Sequence, residues 1–171
     1  MDIEETNISG VFLLKPEVYR DKRGFFLETY SEKIYSDLGI SNKFVQDNFS
    51  HSKKNVLRGF HGDTKTWKLI SCAYGEFLFV VVNFDPKSKE YLKHQAIKLS
   101  DKNKLQVLVP PKFLNAHLCL SRECLFHYKL SYSGNYNDID KQLSVNWKDN
   151  RLKIKWPIKK PILSQRDSQD D

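Results

Sequence analysis

The sequence predicts an all-β chain, an antiparallel sandwich or barrel of short strands with a few short helices. Three observations carry that reading. Aromatic side chains are plentiful, with eight Tyr, eleven Phe and three Trp in 171 residues, and they suit a pleated, half-buried surface. Apolar runs are brief and are punctuated by Asp, Asn, Gly and Pro. Several stretches also alternate apolar with polar residues, the period of a strand with one wet face.

The one convincing helix comes early. Ser31 can cap it, Ile34, Tyr35 and Leu38 recur at helical spacing, and Gly39 can end it. Beyond residue 43 almost everything reads as strand. Gly75 to Asp85 is β-branched and aromatic and closes on Asp85-Pro86, while Leu105 to Pro111 is stopped by two prolines. Cys124 to Lys129 alternates, and Leu152-Lys153-Ile154-Lys155-Trp156 alternates more clearly. No repeat, low-complexity tract or linker interrupts the chain, so residues 1–171 are expected to form a single domain.

Composition narrows the class. Hydrophobic residues at 40% and charged residues at 29% exclude a disordered chain, and no run approaches the roughly 18 apolar residues of a membrane helix. The opening MDIEETNISG is too acidic and polar for a secretory signal. Cys72, Cys119 and Cys124 cannot all pair and lack metal-ligand spacing, so they read as reduced core thiols of a cytoplasmic protein. The net charge of +7 is concentrated late, where residues 141–160 hold seven Lys or Arg against one Asp. Such a balance can attract nucleic acid, an acidic membrane or a phosphate-bearing small molecule, but the alternation there reads first as a solvated face.

Six segments pack polar residues more densely than a sandwich requires. In Asp21-Lys22-Arg23-Gly24-Phe25-Phe26-Leu27-Glu28, Arg23 and Glu28 bracket an aromatic pair. That suits gripping an anionic ligand, and equally a solvated turn before a strand. Gln46-Asp47-Asn48 offers three hydrogen-bonding side chains, as loops often do. In Leu57-Arg58-Gly59-Phe60-His61, followed by Trp67-Lys68-Leu69, a histidine lies near two cations; a neutral imidazole there is the form that acts as a base. Leu114-Asn115-Ala116-His117 sets a histidine in an apolar strand, where a hydrogen-bonded core residue is the default. Tyr128-Lys129 and Leu163-Ser164-Gln165-Arg166-Asp167 complete the set. Neither His61, followed by Gly62 and Asp63, nor His117, beside Leu118 and Cys119, has the partners of a metal site. The sequence contains no GxSxG elbow, Gly-rich phosphate loop or dinucleotide fingerprint.

Taken together and in this order, these segments, with Trp156-Pro157, resemble the dTDP-4-dehydrorhamnose 3,5-epimerase family of metal-free cupins, from about Gly10 to Asp167. The resemblance implies a cupin-type antiparallel jelly roll, a homodimer without cofactor or metal, and no nucleic-acid or membrane partner. It implies a nucleotide-diphosphate sugar substrate of the 4-keto-6-deoxy kind, inverted at carbon 3, carbon 5 or both through an enolate, for bacterial surface polysaccharide. By matching position, His61 is the base, Asp167 its partner, Lys68 the stabiliser of the enolate and Tyr128 the acid on the opposite face. Arg23, Glu28, Gln46, Asn48, Arg58 and His117 bind nucleotide, diphosphate and sugar, with Arg23 reaching across the dimer.

The chain also departs from the family pattern. Tyr132-Ser133-Gly134-Asn135-Tyr136 replaces an aromatic pair followed by Pro, so the substrate-side aromatic is displaced or missing. The segment Gly62 to Trp67 is short, with Asp63 where those enzymes usually have Gln, and Arg166 replaces their Lys. The short loop resembles the branch that acts on GDP-linked 4-keto-6-deoxy-heptoses for capsular polysaccharide. A nucleotide-sugar 3,4-ketoisomerase on the same fold is the alternative, though such enzymes carry paired histidines. A non-catalytic binding module is disfavoured by His61, Lys68, Tyr128 and Asp167 together.

Overall fold

The computed structural model describes residues 1–136 and 142–168. Its elements are, in order, β1 (Asp2–Glu5), β2 (Phe12–Lys15), β3 (Tyr19–Asp21), β4 (Gly24–Phe26), α1 (Glu32–Asp37), β5 (Gln46–Lys53), β6 (Leu57–Gly62) and β7 (Trp67–Tyr74). They continue with β8 (Glu76–Asn83), β9 (His94–Ser100), β10 (Gln106–Val109), β11 (Phe113–Cys119), β12 (Glu123–Ser131) and β13 (Leu143–Ser144). One sheet has six strands in the order β1-β2-β10-β7-β12-β5, a second has five in the order β13-β6-β11-β8-β9, and β3 and β4 form a separate hairpin. The ladders between these strands are antiparallel. This is a cupin-type jelly roll, as expected.

Alternation decides which side chains fill the gap between the sheets. Ile70 and Cys72 on β7, Phe77, Phe79 and Val81 on β8, and Cys124 and Phe126 on β12 meet in one buried cluster. The residues between them face outward. Val80 and Val82 join a second cluster with Phe60, Ala116, Val145 and Leu152, which covers the back of the five-stranded sheet. β8 is therefore apolar on both faces, which explains why its sequence is an unbroken hydrophobic run. A third cluster, Leu14, Tyr35, Ile40, Leu69 and Leu108, seats the helix against the six-stranded sheet.

The helix is held from its buried side. Tyr35 donates to Gln106 Oε1, and Gln106 Nε2 donates to the Thr29 carbonyl at 2.7 Å. Ser31 stands at the N-cap position, but its side chain makes no cap hydrogen bond. Gly39 takes φ +84 beyond the last turn, the left-handed conformation that glycine tolerates best. Among the described residues this is the one α-helix, where a few short ones were expected.

Two sequence expectations need correction. Leu152 to Trp156 forms no ladder, because Lys153 at φ 51 turns the backbone out of the extended region. Burial alternates there all the same, with Leu152 in the core and Lys153 and Lys155 exposed, so the late cations are a wet face. Gln46-Asp47-Asn48, loop-like in sequence, opens strand β5. The three cysteines are buried free thiols.

Candidate active site

At one end of the sandwich the inward-facing positions turn from apolar to polar. On β7, Cys72 and Ile70 are followed two residues on by Lys68; on β12, Cys124 and Phe126 give way to Tyr128; on β11, Cys119 gives way to His117 and Asn115. These side chains, with Arg58 and His61 of β6, line a cavity of about 530 Å³. Its walls belong to different sheets: His61, Asn115 and His117 stand on the five-stranded sheet, Lys68 and Tyr128 on the six-stranded one.

Asp167 arrives from far along the chain. Val56 and Ile162 form a parallel bridge, with Leu57 N donating to Ile162 O at 3.0 Å and Ile162 N to Asn55 O at 2.8 Å. That bridge lays the late segment beside β6. The turn beyond it puts Asp167 Oδ1 2.7 Å from His61 Nε2, with the carboxylate 3% exposed. The ring N–H lies off the line to that oxygen, so the pair is a close contact without an aligned hydrogen bond. Catalytic hydrogen bonds commonly align only in the substrate complex. Ser164 Oγ donates to Asp167 Oδ2 at 2.9 Å and accepts from Asp167 N at 3.1 Å. Burial pushes the Asp167 carboxyl up, but His61, Ser164 and the Gly59 N–H outweigh it and hold the carboxyl below its usual range.

Gly59 makes the approach possible. At φ +118, a Cβ there would lie 2.5 Å from Asn115 O and 2.7 Å from Ala116 Cα. β6 and β11 therefore close on each other only because that side chain is missing.

Lys68 is 9% exposed, and its ammonium donates to Asn115 Oδ1 at 2.8 Å and to His61 O at 3.4 Å. Burial pushes it down to about 8, against the opposing charge of Asp63. His117 stacks on Phe126 with centroids 4.2 Å apart, and burial with the Arg58 charge pushes it down to about 3, so it is neutral at physiological pH. Burial raises the Tyr128 phenol, while a hydrogen bond with Asn48 and the Arg58 charge oppose the rise. Arg58 donates to Ser52 Oγ at 3.0 Å and His51 O at 3.1 Å.

Of the residues singled out in the sequence, His61, Lys68, Arg58, His117, Tyr128 and Asp167 share the cavity. Asn48 lies opposite Tyr128 in the β5–β12 ladder, and Gln46 donates to Asn48 Oδ1 at 3.2 Å, so both sit beside it. Arg23 and Glu28 do not reach it within this chain. Arg23, with its side chain 84% exposed, forks onto Asp21 at the tip of the β3–β4 hairpin, and Glu28 is exposed just past it. The cavity adds Ser50, Asn115, Phe126, Tyr136, Gln142, Ser164 and Arg166. Tyr136, at the end of the segment read as a displaced or missing aromatic, lines the cavity; burial pushes its phenol up to about 12. Asn115 shares the inward face of β11 with His117, two residues away, and nothing in the sequence marked it as a site residue.

The arrangement has a definite chemical capacity. It sets an imidazole backed by a carboxylate on one sheet, a phenol on the facing sheet and a buried ammonium alongside. Protons can be taken from one side of a flat ligand and supplied from the other, with Lys68 meeting the charge that develops. Among the described residues no three His, Cys, Asp or Glu side chains gather to hold a metal ion.

The family model described as dTDP-4-dehydrorhamnose 3,5-epimerase matches residues 5–171. The dTDP-4-dehydrorhamnose 3,5-epimerase of Salmonella typhimurium is 38% identical, over 98% of this chain and 93% of its own length. A crystal structure of dTDP-6-deoxy-D-glucose-3,5-epimerase from Legionella pneumophila, in complex with dTDP-4-keto-L-rhamnose, superposes with TM-score 0.91 at 35% identity, covering 98% of this chain and 89% of that one. The dTDP-4-dehydrorhamnose 3,5-epimerase of Bacillus anthracis, with TDP and PPi bound, also gives 0.91, at 34% identity and coverage of 97% and 95%. Fold and relatives define the class, a cupin-type isomerase. The chain belongs to the dTDP-4-dehydrorhamnose 3,5-epimerase family.

Proposed function

We propose that residues 1–171 act as one catalytic domain that inverts carbon 3 and carbon 5 of a dTDP-linked 4-keto-6-deoxy hexose, in deoxy-sugar synthesis for bacterial surface polysaccharide. The observation that carries this reading is that His61 and Tyr128 line one cavity from different sheets. Inversion requires a base on one face of the sugar and an acid on the other; a single group would return the proton where it found it.

Asp167 holds His61 Nε2, so Nδ1 is the nitrogen left to take the proton from the carbon next to the ketone. The C–H electron pair moves into the ring and the carbonyl oxygen becomes an enolate. Lys68 stabilises that oxygen, a contribution of about 3 kcal/mol for one preorganised donor. Tyr128 then delivers its phenolic proton to the opposite face, and solvent restores both groups. Asp167 stabilises the imidazolium meanwhile, as the acid of a catalytic triad does. Arg58 and Arg166 serve the diphosphate, His117, Gln46 and Asn48 serve the sugar and base, and Glu28, outside its own chain's cavity, joins them with Arg23 from a second copy. Every relative named above acts on or binds a dTDP or TDP species, which favours thymidine over the GDP-heptose suggested by the short loop.

A homodimer belongs to this reading. Tyr19, Phe25 and Phe26 on the β3–β4 hairpin are 55%, 51% and 64% exposed, and Phe49 on edge strand β5 is 64% exposed. A second copy laid over that apolar surface would cover it and carry Arg23 to the partner's cavity. Three free buried thiols suit a reducing cytoplasm.

The test is incubation with dTDP-4-keto-6-deoxyglucose in heavy water. Deuterium should enter at carbon 3 and carbon 5, and His61→Asn should abolish uptake at both. Tyr128→Phe should stop inversion with the fold intact. Lack of exchange with thymidine- and guanosine-linked substrates alike would refute the reading, and a product with its carbonyl moved to carbon 3 would instead mark a ketoisomerase.

A further inference from the structure

Asp63 sits in the loop that joins β6 to β7, between the proposed base and Lys68, and it is 2% exposed. Its Oδ1 is fully used, accepting from Lys65 N at 2.9 Å and Thr66 N at 2.7 Å. Its Oδ2 is buried without a hydrogen-bond partner. A buried carboxylate oxygen left unpaired is costly unless its charge answers another. The next buried cation along the chain is Lys68, whose ammonium reaches back at 3.4 Å to the carbonyl of His61, two residues before Asp63; its hydrogen bonds go to two neutral oxygens, that carbonyl and Asn115 Oδ1.

We infer that Asp63 is the counter-charge of Lys68, a positioning residue that keeps the buried ammonium protonated. Two half-satisfied buried charges thus offset each other without touching: no Lys68–Asp63 contact falls within ion-pair distance among the described residues. The other ionisable groups facing the cavity are Arg58 and His61 on β6, His117 on β11 and Tyr128 on β12, then Tyr136, Arg166 and Asp167; the charge of Asp63 is the one that opposes the effect of burial on the Lys68 ammonium. The same charge adds to burial in raising the Tyr136 phenol.

The consequence for catalysis rests on the reading that Lys68 steadies the enolate, so the test has two readouts. The first is the NMR shift of the Lys68 Cε followed against pH, which needs no substrate. The second is the alkaline limb of kcat/KM. Asp63→Asn keeps an acceptor for the turn amides and removes the charge; Asp63→Ser is a second neutral variant whose hydroxyl can serve the same amides. Either should lower the Lys68 midpoint by about one pH unit or more, and move the alkaline limb by the same amount. Asp63→Glu, which keeps the charge, should hold both near their wild-type values. An unchanged Lys68 midpoint in the neutral variants overturns the inference. A midpoint that moves while the limb stays leaves the counter-charge standing and removes Lys68 from the chemistry.

Discussion

Ser164 grips Asp167 from two sides, with its hydroxyl on Oδ2 and on the backbone N–H. Ser164→Ala should therefore cost about tenfold in kcat, the loss of one hydrogen bond to a charged group, with KM little changed. Steady-state kinetics checks this; an equal loss in KM alone would mean that Asp167 does not need steadying. Asp167 also couples stability to acidity. Its carboxyl lies below the usual range in the fold, so the unfolded chain binds that proton more readily. The resulting stabilisation is complete above about pH 4 and is lost as pH falls through the lower folded value. Calorimetry across that window should show Tm falling less steeply in Asp167→Asn than in the wild type. Most of these residues were legible as an ordered set of short motifs. Asn115 and Tyr136 were not, because their place depends on ladder register and on the path of a loop rather than on any local pattern.

At the level of elements, β6 owes its path to Gly59. A methyl there meets backbone at 2.5 and 2.7 Å and must also hold φ +118. Gly59→Ala should destabilise by about 3 kcal/mol through strain at a left-handed position and by forcing β6 from β11. Denaturant unfolding measures the loss, and activity should fall with it because Arg58 and His61 flank the site of strain. A near wild-type midpoint would show that β6 can move without cost. β8 and β10 were readable from their apolar runs, and β12 from its alternation. β5 was not: its burial alternates between exposed and half-buried, one row facing solvent and the other the polar cavity, so its sequence QDNFSHSK carries no hydrophobic period. The stretch from Leu152 to Trp156 misled for the opposite reason. It has a strand's alternation and buries every second residue, yet it packs behind the sheet without a partner ladder.

For the whole molecule, the open question in the geometry is Arg23, which points away from the cavity of its own chain. If it serves the partner's site, Arg23→Ala and His61→Asn should each be nearly inactive alone. Mixed and allowed to exchange subunits, they should recover about a quarter of wild-type activity, since half of the dimers are mixed and each has one intact site. Absence of recovery in subunit-exchanged material would confine Arg23 to its own chain. The packing of the sandwich carries one more implication. With donors and acceptors mounted on two rigid sheets about 10 Å apart, the jelly roll works as a caliper whose jaws are fixed by Phe77, Phe79 and Phe126. On the proposed reading, a ring of one sugar's thickness would be gauged from both sides at once. New specificity for thicker ligands would have to come from re-spacing that aromatic wedge, and not from exchanging the polar groups at the rim.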